Sequence, residues 1–139
     1  MDDVLINKFT SLEKCLMRVH EEYSACHGSI AHDILRQDSI ILNIERYCEQ
    51  CFDMWQRVSR QQKLGLAKEY RDIFTILHEK KIIAATLAEN LKNMVGFRNI
   101  AIHEYTAIDL DRLKYIIEHR LEDLHEFGKI LIRLDANQA

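Results

Sequence analysis

Apolar residues recur every three or four positions through most of this chain, the spacing of one face of an α-helix. Leu5, Phe9, Leu12, Leu16, Val19 and Tyr23 draw the first such stripe and predict a helix from about Val4 to Ala25. Ile34, Ile41, Ile44, Cys48, Cys51, Trp55 and Val58 draw the second, spaced like the a and d positions of a coiled coil. Ile40, Tyr47 and Phe52 widen that stripe beyond a narrow seam. A helix from about Ile30 to Ser59 follows, some 45 Å long at 1.5 Å per residue. Ile73, Phe74 and Leu77 mark a short helix from about Tyr70 to His78. A fourth helix begins near Ile82 or Ala84 and carries Ala84, Leu87, Leu91 and Met94 on one face. The last runs from near Asp109 to about Leu134, with Leu110, Leu113, Ile117, Leu121, Leu124, Phe127 and Leu131 as its stripe.

The breaks between stripes are few. Proline is absent and glycine occurs only at 28, 65, 96 and 128, a scarcity of breakers that favours long helices. Gly28 ends the first helix and Ser29 is placed to cap the second. Residues 60–68 form a polar connection around Gly65, and the tail from Asp135 to Ala139 is expected to fray. Two long helices side by side make the spine of a bundle. The expected architecture is therefore all-α: an up-and-down helical bundle with two long helices and a short extra one. Residues 1–139 are read as a single domain, since 139 residues suit one core.

Composition narrows the function. Apolar residues make up 47% and charged residues 29%, as in a soluble globular protein. The formal net charge of −3 argues against a broad basic surface for nucleic acid, while leaving room for a local positive cleft. No stretch approaches a membrane span, and the Met-Asp-Asp start lacks a secretory signal, so the expected address is cytoplasmic with no membrane partner. Cys48-x2-Cys51 invites a metal or redox reading, but no second pair or nearby His pair accompanies it. Both fall on the apolar stripe of the second helix and are read as small core residues. No metal and no cofactor are expected.

One stretch stands apart from this scaffold. From Arg98 to Tyr105, eight residues hold a guanidinium (Arg98), a carboxamide (Asn99), an imidazole (His103) and a phenol (Tyr105). Arginine presents a planar fork of donors that suits phosphate, and histidine titrates near neutral pH as a general acid or base. The set is a kit for phosphoryl chemistry without metal. Arg98 is the next member of the series Leu87, Leu91, Met94, so a charge continues an apolar face, where it needs a partner or a substrate. On one helix, Arg98 and His103 diverge by about 140° around the axis. They converge only if the helix opens between them, where Gly96 weakens it, or if a second subunit contributes. An opening into a polar loop would put His103 and Tyr105 on one side of an extended stretch.

Met94-Val95-Gly96-Phe97-Arg98-Asn99-Ile100-Ala101-Ile102-His103-Glu104-Tyr105 resembles the signature of HepT-type HEPN proteins. Leu64 to Phe74 resembles the linker and short helix of that family, and Asp38 to Arg46 its second-helix segment. Ala67 stands where the family commonly has proline. The resemblance implies a HEPN-like bundle that forms a homodimer and works as a metal-independent endoribonuclease toxin. It implies Arg98 at the scissile phosphate, His103 as general base or acid, and Asn99 in support. It implies a nucleotidyltransferase antitoxin of the MNT type that transfers AMP to Tyr105, in a hetero-oligomer of open stoichiometry. Asp38 and Arg46 are candidates to line the cleft, or else a solvated flank. A non-catalytic HEPN module, binding nucleotide or RNA or serving as the docking substrate of its transferase, is the alternative.

Overall fold

The computed structural model describes residues 3–27, 29–103 and 110–136, with the side chains of 97–103 and 136 outside the description. Six α-helices and no strand occur among the described residues: α1 (Asp3–Ala25), α2 (Ile34–Gln62), α3 (Tyr70–Glu79), α4 (Ala85–His103), α5 (Leu110–His119) and α6 (Leu121–Ala136). The long pair α1 and α2 forms the most extensive helix contact, and α6 packs against both. The short α3 lies chiefly on α4, and α5 touches α6 and α1. The expected all-helical class and the two long helices are borne out.

The core follows the stripes. Leu5, Leu12, Cys15 and Val19 of α1 are buried, and so are Ile40, Ile41, Ile44, Tyr47, Cys48, Cys51, Phe52, Trp55 and Val58 of α2. Phe74 of α3 meets Phe127 of α6 edge to face, with centroids 5.2 Å apart. That geometry aligns the positive ring edge with a negative face. Gly128, beside Phe127, brings α6 against α1: a Cβ there would lie 3.2 Å from a Phe9 ring carbon and 3.3 Å from Leu12 Cδ2.

Three details differ from expectation. A 3-10 turn at Ile30–His32 precedes α2, so Ser29 does not cap the long helix. Asp33 does, its carboxylate accepting from Arg36 N at 3.1 Å. The left-handed backbone at the end of α1 falls on His27 (φ 49°), while Gly28 lies outside the described residues. Second, Ile34 is 69% exposed although it is in phase with the α2 stripe. The 3-10 turn tucks Ile30 into the core instead, where Gln37 Nε2 donates to its carbonyl at 2.6 Å. Third, the last stripe is carried by two helices. The interruption is at Arg120, whose carbonyl accepts from Asp123 N at 3.1 Å, an i→i+3 bond that tightens one turn.

No described helix is long and apolar enough to cross a membrane.

Candidate functional site

The motif sits on α4. Ala88, Leu91, Met94 and Val95 are buried among the described side chains of that helix, and at about 100° per residue position 98 falls within the arc they define. The expectation that the arginine continues an apolar face therefore holds for the backbone register. The expected opening does not occur: α4 passes unbroken through Gly96 and Arg98 to His103. Positions 98 and 103 are thus about 140° apart around one axis and about 7.5 Å apart along it. A single α4 does not bring them to one point. Asn99 lies on the same helix, next to Arg98. Glu104 and Tyr105, and with them the expected shared side of His103 and Tyr105, lie outside the described residues.

Among the described residues, nothing around Gly96 asks for more than helical backbone. A Cβ there would meet, among the described residues, only Arg112 Nη2, at 3.9 Å, in ordinary contact. Arg112, from α5, donates to the Asn93 carbonyl at 3.3 Å and so ties α5 to the turn before the motif.

Asp38 and Arg46 are both exposed on α2. They share a stripe with Leu42, at i, i+4 and i+8, which is 45% exposed. Leu35 and Ile34 extend it, at 81% and 69% exposure. Such a run of large apolar side chains in water is unusual for a helix that otherwise buries its apolar face well.

Asn43 is a residue to which sequence reasoning assigned no role. It is a buried polar side chain within the run Ile40-Ile41-Leu42-Asn43-Ile44. Its amide donates to the Ser39 carbonyl at 2.8 Å, and its Oδ1 has no partner among the described residues. A buried carbonyl oxygen of that kind costs stability unless something donates to it. The signal was present as a lone carboxamide in an apolar run.

The cysteines belong to the core. Cys15, Cys26, Cys48 and Cys51 are all buried as free thiols. Burial, and secondarily the neighbouring Cys48, pushes the Cys51 thiol well above its ordinary range, which suppresses the thiolate needed for metal or redox work. No group of three or more His, Cys, Asp or Glu residues among those described is placed to hold a metal ion.

Comparison with known proteins gives this arrangement its context. The family model described as "Ribonuclease HepT-like" matches residues 12–130. The mRNA nuclease HepT of Shewanella oneidensis is 41% identical over 132 residues, covering 94% of this chain and 98% of the relative. The tri-AMPylated Shewanella oneidensis HEPN toxin in complex with MNT antitoxin superposes with a TM-score of 0.86 at 38% identity, over 96% of this chain and 99% of that one. A toxin–antitoxin structure with AMP-PNP gives a TM-score of 0.85 at 38% identity, over 94% of this chain and 99% of the other. The match spans α2 through α5 entire and includes the Arg98-x4-His103-x-Tyr105 element, so this chain belongs to the HepT-like ribonuclease family.

Proposed function

We propose that this chain is the toxin of a toxin–antitoxin pair: an endoribonuclease that cleaves RNA through Arg98 and His103 and is silenced by an MNT-type nucleotidyltransferase antitoxin. The observation that carries the reading is the Arg98-x4-His103-x-Tyr105 element inside a full-length match to a protein named as an mRNA nuclease.

The chemistry needs no metal. A base takes the proton of an RNA 2′-hydroxyl, and the freed oxygen attacks the adjacent phosphorus. A P–O2′ bond forms and the P–O5′ bond breaks, leaving a 2′,3′-cyclic phosphate. An acid returns a proton to the departing O5′. His103 is matched to both proton transfers, which typically contribute 10²–10⁴-fold. Arg98 holds the phosphate and balances charge as it builds on the equatorial oxygens. Asn99 supports the pair by hydrogen bonding to phosphate or imidazole.

One chain supplies one motif histidine, and its continuous α4 separates position 103 from position 98. A homodimer provides two histidines and two arginines. The α2 stripe supports such a dimer. With two copies of α2 antiparallel about an axis through Leu42, the i, i+4, i+8 spacing sets each Asp38 opposite an Arg46 of the other copy. The flanking Ile34 and Leu35 are covered at the same time. Asp38 and Arg46 then act at the dimer face and border the cleft.

Tyr105 is the modification site in this reading. The relative solved with its MNT antitoxin is tri-AMPylated. AMP on Tyr105, two residues beyond His103, adds bulk and negative charge beside the phosphate-binding arginine and closes the cleft to RNA. The pair works in the cytoplasm, where RNA and ATP are both present.

The test is expression of the wild type, Arg98→Ala and His103→Ala without antitoxin, followed by RNA cleavage with EDTA present. Only the wild type should arrest growth and cleave, with at least a 10²-fold loss in each variant. Equal cleavage by the variants would falsify the mechanism. No cleavage by any of them, with Tyr105 modified by the transferase, would point to a docking substrate without catalysis.

A further inference from the structure

Both motif positions ride on α4, so the rotation of that helix about its own axis decides where they stand. Its buried described side chains, Ala88, Leu91, Met94 and Val95, are all apolar. Apolar burial is non-directional and does not by itself fix the roll of a helix. A roll of about 10° carries an atom about 5–6 Å from the axis through about 1 Å. A misplacement of about 1 Å costs on the order of 10²-fold in rate.

Two polar ties reach α4 from the two sides of the α5–α6 joint. Arg112 of α5 donates through Nη2 to the Asn93 carbonyl at 3.3 Å. The side-chain amide of Asn90 donates to the carboxylate of Asp123, in the first turn of α6. Asn90 and Asn93 are one turn apart, eight and five residues before Arg98, about 12 Å and about 7.5 Å back along the axis. Hydrogen bonds are directional, so two of them one turn apart set the rotation that apolar packing leaves loose. The joint is braced in turn. Arg120 donates to the Tyr115 hydroxyl at 2.7 Å, and its Nη1 stands 4.0 Å from Asp123 Oδ2. A carboxylate at 123 works against stability. Its Oδ2 is buried and has no hydrogen-bond partner among the described residues, which is unfavourable. Burial pushes the Asp123 carboxyl above its ordinary range, against the opposing effects of Arg120 and the Asn90 bond. A neutral amide of the same shape would escape that penalty. What the charge supplies is a firmer hold on Arg120 and on the Asn90 amide.

We propose that Arg112 and Asp123 are positioning residues: through Asn93 and Asn90 the α5–α6 joint clamps α4 and sets where Arg98 and His103 stand for RNA cleavage. The effect on cleavage rests on the ribonuclease reading, and the effect on α4 rests on geometry alone.

The test combines cleavage kinetics with amide hydrogen exchange on the full chain free of antitoxin. Arg112→Met keeps the apolar stem and removes the donor, and Asp123→Asn keeps the shape and removes the charge. In each, kcat for RNA cleavage should fall about ten-fold or more while KM stays at its wild-type value, the signature of a lost transition-state geometry. Arg112→Lys, which still donates, should recover kcat. Exchange across residues 94–103 should quicken in Arg112→Met and Asp123→Asn while α1 and α2 keep wild-type protection. The melting temperature of Asp123→Asn should not fall, since the amide relieves a buried charge. Wild-type exchange across 94–103 in both variants would overturn the clamp, whatever kcat does. Protection lost evenly over the whole bundle would overturn it as well, by making the two residues merely structural. A raised KM with unchanged kcat would do the same, by making them substrate contacts. A wild type that cleaves no RNA, with the local change in exchange present, would sink the ribonuclease reading and leave the clamp standing.

Discussion

Gly96 shows how a single residue can mislead. Two residues before an arginine that continues an apolar face, its sequence position marks the point where the helix is expected to open. The helix runs through it, and nothing among the described residues around it demands more than helical backbone. An alanine there should stabilise the fold by roughly 0.5–1 kcal/mol, the usual cost of glycine inside a helix. Among the described residues its Cβ would meet only the guanidinium of Arg112, at 3.9 Å, in ordinary contact. Urea unfolding of Gly96→Ala checks the sign, and a lower midpoint would show that local backbone freedom is required. If stability rises while RNA cleavage falls, the glycine serves motion at the motif rather than packing. The chemical make-up of the proposed site stood out at this scale: an arginine, a carboxamide, an imidazole and a phenol in eight residues against helical scaffold. How they would be brought together was not legible, because spacing fixes angles around one axis and says nothing of a second chain. Asn43 went unassigned because a lone amide in a run of isoleucines reads as surface until burial is known.

Helices were easier to read than the joints between them. The stripes placed the long α2, the short α3 and, at Leu91 and Met94, part of the buried line of α4, since a packed helix repeats its apolar residues near 3.6; Ala84, expected on that line, is exposed, and Ala88 is buried instead. The interruption at Arg120 has no such signature. Neither glycine nor proline stands there, and the stripe keeps its phase from Ile117 to Leu121. What marks the joint is a local tertiary arrangement. Arg120 lies over the Tyr115 ring, 5.1 Å from its centroid, and donates to the Tyr115 hydroxyl at 2.7 Å. The crossing of α6 on α1 is as specific. Gly128 is already close to Phe9 and Leu12, so Gly128→Leu should overpack it and cost about 1–3 kcal/mol. Thermal unfolding would report this as a lower melting temperature, and an unchanged one would mean that Phe9 swings clear.

At the scale of the whole molecule the question is how many chains make one site. A bundle that buries its core this thoroughly still leaves Ile34, Leu35 and Leu42 in water along one helix, with a charge of each sign placed evenly about Leu42. A two-fold axis satisfies that pattern: each copy contributes an Asp38 and an Arg46, and each finds its opposite. Spacing further defines the test, because the arrangement is symmetric under exchange. Asp38→Arg sets two cations face to face at both ends of the pair, and Arg46→Asp sets two anions. Each single variant should shift the protein toward monomer in analytical ultracentrifugation. The double variant, Asp38→Arg with Arg46→Asp, restores opposite charges at the same places and should restore the dimer. RNA cleavage should follow the same order, low in each single variant and recovered in the double, since one α4 separates the motif positions by about 140°. A double variant that stays monomeric would place the dimer face elsewhere. A monomeric single variant with full cleavage would remove the second chain from the mechanism, and would require Arg98 and His103 to act from opposite sides of one helix.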